Sequence, residues 1–491
     1  WSDEVPEIAL PDGGCEGLHC SDRHHEWPGS PGPATWDGHP RCSLTGNGGD
    51  VARKGNEVSA GGPPGSAVGA ERWSPPGQET GFMTHERVSG DGTSVDQPRH
   101  PRAYTSDLPV TGAWLPGDPV GNRQFAPVGS GRPFVLEGGG VLSDVTMAFE
   151  TWGELSPAVD NAILVCHALT GDSHAYGEVG DGHATEGWWN GIIGPGCGID
   201  TDRHFVVCVN SLGGCQGSTG PSSINPATGV PYGSSFPTVT TRDIVRCQAA
   251  VADHLGIDRW LAVVGGSMGG MQVLEWGVMF PHRVRTIAPI ATTLEATAQQ
   301  VAWSAVGRTA LALDPRFRGG DYYDAKPGDG PFAGLAVARS VAQITYRSAE
   351  VFDDRFARDL VDPRALFGQW DRFQVESYLD YHGEKLVRRF DANSYLVLNR
   401  TMDLHDLARD RGSMELAVQR MAGLPALTLS ISSDVLYPLP QQEAIRDAIR
   451  AAGGRCDHHV IKSPDGHDGF LLATREVGSY LADFLQEMES S

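Results

Sequence analysis

The stretch LAVVGGSMGGMQVLEW, residues 261–276, decides which fold the sequence favours and where its reactive group lies. An apolar run leads into Gly265-Gly266-Ser267-Met268-Gly269, of the form G-x-S-x-G, and an apolar-faced helical segment follows. A serine in such a strand–turn–helix context projects its hydroxyl above the sheet, and the next amide, on Met268, is placed to stabilise an oxyanion. We predict Ser267 as a nucleophile; the alternative is a glycine-rich turn that serves only close packing.

A serine hydroxyl needs a base, and the base needs an acidic partner that fixes its tautomer. In folds with this turn the partners follow in the order Ser, Asp or Glu, His. Downstream, the strand-like ALTLSISS ends in Asp434, and the next such run, HHVIKSP, leads to His467. Singly, each could be an ordinary loop residue, but their order behind Ser267 predicts a catalytic triad.

The pattern of apolar runs predicts a mostly parallel, doubly wound α/β sheet, because nearly continuous apolar strands alternate with amphipathic helices. The predicted strands are 146–151, 162–167, 205–210, 260–265, 286–290, 427–432 and 458–462. Residues 294–421 carry mainly helical patterns, with predicted helices at 334–345, 374–387, 394–407 and 414–421. We therefore predict a core of residues 125–293 and 422–488 with a helical lid insertion at 294–421.

The first hundred residues contain 18 Gly and 11 Pro but only 11 Val, Leu, Ile and Phe together. Such a segment buries too little apolar surface to offset its conformational entropy, so residues 1–120 are predicted to form a disordered tail. The first methionine is Met83, which leaves open whether residues 1–82 belong to the native protein. Cys15, Cys20, His24 and His25 in this tail resemble loose zinc spacing, but no metal site is predicted.

The amino-acid composition indicates which binding partners and which cellular compartment to expect. The formal net charge of −23 argues against a nucleic-acid partner or an anionic membrane surface. No apolar run approaches the roughly 20 residues of a membrane span, and no export signal is recognised. The nine cysteines are few and odd in number, which fits a reducing compartment. We expect a cytoplasmic enzyme.

The sequence resembles the homoserine O-acetyltransferases of methionine biosynthesis, which have the α/β-hydrolase fold. The resemblance spans about residues 125–485 and omits the tail. It rests on these segments, in order: HALTGDSH, NSLGGCQGSTGPSS, FPTVTTRDIV, GGSMGGMQ, DPRFRGGDYYD, ITYRS, FQVESYLDYHG, RFDANSYL, SSDVLYP and GHDGFL.

The resemblance implies roles for particular residues. Ser267 would accept the acyl group, His467 would act as base and acid, and Asp434 would orient His467. The oxyanion amides would be those of Met268 and Leu169; we favour this backbone role of the loop after residue 166 over side-chain catalysis by His167. The substrate-binding residues implied are Arg339 for the amino-acid carboxylate, Tyr346, and Asp468 for the ammonium group. From periodicity alone, Arg339 would rather be a solvated helix residue.

The implied reaction moves an acetyl group from acetyl-CoA, a co-substrate, to L-homoserine, with no permanently bound cofactor and no metal. The family resemblance also implies a homodimer, in which lid helices such as 374–387 take part. Three alternatives stay open at this stage: a relative that uses succinyl-CoA or serine, a serine esterase, and a non-catalytic binding protein of the same fold.

Overall fold

A computed structural model describes residues 108–490 except residues 130 and 365. Its centre is an eight-stranded sheet with the order β1-β2-β4-β3-β5-β6-β7-β8. The strands are β1 (Gln124–Val128), β2 (Val145–Trp152), β3 (Ala162–Cys166), β4 (Phe205–Val209), β5 (Trp260–Gly266), β6 (Val284–Ile290), β7 (Ala426–Ile431) and β8 (Cys456–Ile461). Strand β2 pairs antiparallel with β1 and β4, and the remaining pairs are parallel. The predicted doubly wound sheet is confirmed, although β1 was not predicted.

The described residues form eleven α-helices. They are α1 (Thr241–Leu255), α2 (Met268–Met279), α3 (Ala298–Leu313), α4 (Phe332–Tyr346), α5 (Ala349–Phe356), α6 (Gln374–Val387), α7 (Ala392–Asp403), α8 (Met414–Gln419), α9 (Leu439–Ala451), α10 (Gly469–Leu472) and α11 (Thr474–Ser490). Helices α3 to α8 lie between β6 and β7 in the chain, in the interval where the sequence predicts a helical insertion. We call α3 to α8 and their connections the lid.

Two hydrophobic clusters cover the two faces of the sheet, because successive strand residues point to opposite faces. On one face Leu164 and Val263 pack with side chains of α1 and α2, such as Ile244 and Val273. On the other face Ile163, Val165 and Val264 belong to a cluster that includes Leu481 and Leu485 of α11. Strands β3 and β5 are buried along their whole length, which explains their continuously apolar sequence.

The predicted tail of residues 1–120 needs a correction at its C-terminal end. Residues 108–120 are part of the described structure: the Thr111 hydroxyl donates a 2.8 Å hydrogen bond to Asp391, and the Gly112 amide lies 3.3 Å from the Phe390 carbonyl oxygen. A Gly/Pro-rich composition did not reveal these contacts because they are made with the lid, far away in sequence. The predicted tail up to residue 107, with Cys15, Cys20, His24 and His25, lies outside the described residues.

Within residues 108–490, none of the helices combines the length and the apolar character that crossing a lipid bilayer requires.

Candidate active site

Ser267 occupies a strained turn between β5 and α2. Its backbone has φ 59° and ψ −125°, a conformation that residues other than glycine rarely adopt. The Ser267 amide donates to the Ile290 carbonyl oxygen at 2.9 Å, and the Thr292 hydroxyl donates to the Ser267 carbonyl oxygen at 2.8 Å. The turn is therefore held from the neighbouring strand, and the serine follows the carboxyl end of β5, as predicted.

Two glycines of the turn are required by close packing. A Cβ atom at Gly269 would lie 2.1 Å from the Cys166 carbonyl oxygen, and one at Gly266 would lie 2.5 Å from the Phe470 ring. The G-x-S-x-G pattern thus lets α2 begin directly against the end of β3. Met268, the first residue of α2, is buried and directly follows Ser267, at the helix start where backbone amides have no partner within the helix.

His467 and Asp434 form a hydrogen-bonded pair at the carboxyl ends of β8 and β7. His467 Nδ1 lies 2.7 Å from Asp434 Oδ2, and both side chains are almost completely buried. The other carboxylate oxygen of Asp434 accepts hydrogen bonds from the Leu436 and Tyr437 amides, both at 2.8 Å. With Nδ1 donating to Asp434, His467 Nε2 is free to act as a base, and it has no hydrogen-bond partner among residues 108–490.

Tyr437 is a member of the site that the sequence did not single out, although it lies in the quoted segment SSDVLYP. Its ring centroid lies 5.2 Å from that of His467, and its hydroxyl interacts with the Ser267 side chain. Burial raises the pKa of Tyr437, and the Ser267 interaction opposes this shift. The phenol therefore stays protonated and can donate a hydrogen bond beside the nucleophile.

The loop after β3 carries Leu169, the second predicted oxyanion amide. His167 holds this loop to the segment after β4: its Nε2 accepts from the Ser211 amide at 2.9 Å, and its Nδ1 lies 2.8 Å from the Ala168 carbonyl oxygen. Burial lowers the pKa of His167, so the ring stays neutral in this role. Both ring nitrogens are engaged away from Ser267, which fits a structural side chain.

Arg339 of α4 reaches the same loop. Its Nη1 atom lies 3.4 Å from the Thr170 hydroxyl, and its guanidinium carbon lies 5.1 Å from the centroid of the Tyr346 ring. The Tyr346 ring centroid lies 5.8 Å from that of His467. Burial raises the pKa of Tyr346, and the charge of Arg339 opposes the shift. The predicted substrate residues Arg339 and Tyr346 are therefore close to the predicted triad.

Asp468 lies beside His467 but is already paired. Its carboxylate is 3.3 Å from Nε of Arg347, and Arg347 also contacts Asp465 at 3.1 Å. Burial raises the pKa of Asp468, while Arg347, Arg339 and His467 oppose the shift. The sequence did not identify Arg347, which follows directly after Tyr346 in the quoted ITYRS.

A narrow cavity of about 40 Å³ lies next to this site under the lid. Leu169, Tyr346 and Tyr437 line it on the side of the triad, and side chains of α3, α4 and α7 close the other side. Trp303, Ala338 and Ala342 make this part largely apolar. The size and the largely apolar lining of the cavity suit a small acyl chain or an amino-acid side chain.

Five cysteine thiols of the described structure are buried and do not compete with Ser267 as nucleophiles. Burial raises the pKa of the Cys166, Cys208, Cys215 and Cys247 thiols, and raises that of Cys456 to about 11. These thiols therefore stay protonated and are poor nucleophiles.

Glu150, His174 and His183 form one buried group whose ligand atoms are close enough to hold a metal ion. The two imidazole rings are stacked, with centroids 3.8 Å apart and planes 10° from parallel, so their in-plane lone pairs do not converge. Glu150 instead accepts hydrogen bonds from the Ser173 hydroxyl at 2.8 Å and His174 Nδ1 at 2.9 Å. In this arrangement the group fits a hydrogen-bonded support for the loop after β3 better than a metal site.

Several known proteins are similar to this chain in sequence and in fold. Residues 161–473 match the family model described as alpha/beta hydrolase fold. The homoserine O-acetyltransferase of Leifsonia xyli subsp. xyli is 53% identical over 380 residues, which cover 77% of this chain and 93% of the relative. That of Thermobifida fusca is 50% identical over 386 residues, covering 78% of this chain and 99% of the relative.

The solved structures that are similar to this one include a transferase and an esterase. The crystal structure of homoserine O-acetyltransferase from Bacillus anthracis has a TM-score of 0.68 at 27% identity, and the match covers 74% of this chain and 97% of that one. Esterase E22 has the same TM-score and identity, with 74% of this chain and 99% of the esterase covered. The architecture is therefore shared by a transferase and a hydrolase.

Proposed function

The chain belongs to the homoserine O-acetyltransferase family of α/β-hydrolase-fold enzymes, and on this basis we propose a reaction through an acetyl ester on Ser267. The substrates are acetyl-CoA and L-homoserine, the product is O-acetylhomoserine, and no permanently bound cofactor takes part. The observation that carries the mechanism is the 2.7 Å bond between His467 and Asp434 beside a strained, buried Ser267.

In the first half-reaction, Ser267 Oγ attacks the thioester carbonyl carbon while His467 Nε2 takes the hydroxyl proton. The amides of Met268 and Leu169 stabilise the tetrahedral oxyanion. When the carbon–sulfur bond breaks, His467 gives the proton to the departing thiolate, and CoA leaves as a thiol. Asp434 stabilises the imidazolium that forms on the way.

In the second half-reaction, His467 Nε2 takes the proton of the homoserine hydroxyl, whose oxygen attacks the acetyl ester. The ester bond to Ser267 breaks, and His467 returns the proton to Ser267 Oγ. Arg339 binds the carboxylate of homoserine, Tyr346 contacts the amino acid, and Asp468 receives its ammonium group. Arg347, 3.3 Å from Asp468, favours the charged form of that carboxylate when no substrate is bound, against the effect of burial.

The experiment that tests this mechanism is intact-protein mass spectrometry after mixing the enzyme with acetyl-CoA. We expect one added acetyl group on Ser267, and rapid loss of that group when homoserine is added. Because esterase E22 has a similar architecture, the rates at which water and homoserine remove the acetyl group decide between hydrolase and transferase. Faster loss to water than to millimolar homoserine contradicts the proposal.

Arg339→Ala should damage only the second half-reaction. The thioester and Ser267 suffice for acylation, whereas discharge by homoserine is expected to weaken by about 2–4 kcal/mol, the range for losing a charged hydrogen-bond partner. Arg339→Lys should restore little, since an ammonium group lacks the planar fork that binds both carboxylate oxygens. Rapid-mixing kinetics measure the two steps separately. Equal damage to both steps assigns Arg339 to the fold or to the acyl donor.

We also propose a cytoplasmic homodimer that buries the outer face of the lid. Apolar side chains are exposed there: Leu313 at the end of α3 is 77% exposed, and Val337 and Ile344, two turns apart on α4, are about half exposed. Light scattering coupled to size exclusion should give a dimer mass, and Ile344→Asp should shift the mass toward the monomer. A wild-type monomer at micromolar concentration contradicts the proposal.

A further inference from the structure

A group of cationic side chains gathers where α4, α5 and α6 meet. It consists of Arg339, Arg347, Arg355, Lys385 and Arg389, and we call it the cationic cluster. Its position is unexpected in a chain with a formal net charge of −23, in which acidic residues outnumber basic ones. The net charge of the whole molecule therefore does not account for this local excess of positive charge.

The pKa of His382, on α6, shows that the charges of the cluster lie close to one another. Burial, together with the charges of Arg339, Lys385, Arg347 and Arg355, lowers the pKa of His382 to about 3. The His382 ring lies 4.4 Å from that of Tyr378. The side chain at the centre of the cluster is therefore a neutral one, and it adds no positive charge to its neighbours.

Three members of the cluster lack the carboxylate partner that such charges usually have. Within residues 108–490, Arg339, Lys385 and Arg389 have no ion pair within 4.0 Å, whereas Arg347 is paired with Asp465 and Asp468. Partial burial of the Lys385 side chain, whose end reaches solvent, and the charges of Arg389 and Arg339 lower the pKa of Lys385. Asp172 and Asp468 lie near Arg389 and Arg339 without forming an ion pair with them. The cations of the cluster outnumber these carboxylates, so the site as a whole favours an anion.

The cluster extends from the catalytic loop to the surface. At its inner end Arg389 donates from Nη2 to the Thr170 carbonyl oxygen at 2.8 Å, and Arg339 lies 3.4 Å from the hydroxyl of the same residue. Thr170 directly follows Leu169, the second oxyanion amide. At the outer end Lys385 is exposed, about one helical turn, or ~6 Å, before Arg389.

We propose that the outer part of the cationic cluster, with Lys385 as its exposed member, binds the phosphate groups of the acyl-CoA donor. This assignment rests on the proposed function. Acetyl-CoA carries all of its negative charge on phosphates remote from the thioester, while the arm between them is uncharged. A donor whose thioester lies at Ser267 and Leu169 therefore needs cations farther out, and Lys385 provides one, while Arg339 remains with the homoserine carboxylate.

The test compares two donors with the same thioester: acetyl-CoA, which carries the phosphates, and S-acetylpantetheine, which does not. We expect Lys385→Gln to raise the KM for acetyl-CoA about tenfold, on the scale of one charged hydrogen bond. The KM values for S-acetylpantetheine and for homoserine should not change. Raising the salt concentration should raise the KM for acetyl-CoA less in the variant than in the wild type, because one screened attraction is missing.

Lys326→Gln, a change of the same type at an exposed lysine outside the cluster, is the matched control and should behave like the wild type. An equal effect of Lys385→Gln on both donors, no effect on either, or an effect on homoserine alone overturns the assignment. Failure of the proposed function looks different: wild-type enzyme would then form no acetyl-enzyme with either donor. Wild-type acylation that is equally efficient with both donors refutes the phosphate site and leaves the acyl-enzyme mechanism intact.

Discussion

Replacing Ser267 by alanine should lower the rate of acetyl transfer by about 10⁶-fold, which is the typical loss in kcat when a serine triad loses its nucleophile. The variant should take up no acetyl group from acetyl-CoA, because no other side chain stands at the turn to form the ester. The fold should persist: alanine meets the same positive φ of 59° as serine and fills less space. Transfer rates and intact mass are the measurements.

Ser304→Ala is the control for Ser267→Ala, since Ser304 also faces the narrow cavity and carries the same functional group. It should leave acetylation within a few-fold of the wild type. Near wild-type transfer by the Ser267→Ala protein would exclude a covalent serine mechanism. The mechanism to test next would then be direct attack by homoserine on the thioester, with His467 as the base.

Asp434→Asn should lower turnover by about 10⁴-fold while leaving the structure intact. The amides of Leu436 and Tyr437 both donate to Oδ1, so the carbonyl oxygen of an asparagine is held at that position. The NH₂ group then faces His467 Nδ1 and forces the imidazole proton onto Nε2, the atom that must accept a proton from Ser267. The base is present but in the wrong tautomer.

The loss in Asp434→Asn should appear in acylation and in discharge alike, because His467 serves both steps. Single-turnover acetylation and discharge by homoserine provide the two rates. Asp457→Asn changes a carboxylate on the neighbouring strand β8 that pairs with Arg455, and should have little effect on either rate. A loss smaller than tenfold in Asp434→Asn would mean that His467 is oriented by other contacts.

The sequence alone determined the core of the fold and the order of the predicted triad. Strands β3 and β5 are buried on both faces, so their apolar character had to be continuous, and the strand–turn–helix pattern at Ser267 is local. Asp434 and His467 could be predicted because each follows directly after a recognisable strand, and parallel strands bring their carboxyl ends to one edge of the sheet. Local pattern and sheet geometry together were sufficient for these residues.

Tertiary structure alone decided how the lid completes the site. Arg347 meets Asp468, and Arg389 meets Thr170, across 121 and 219 positions of sequence, so no local periodicity relates them. The contacts of residues 108–120 with the lid, the approach of Tyr437 to Ser267 and the gathering of cations around His382 have the same origin. Such contacts depend on how the lid helices pack over the sheet. Only this packing brings charged side chains that are distant in the sequence within a few ångströms of each other.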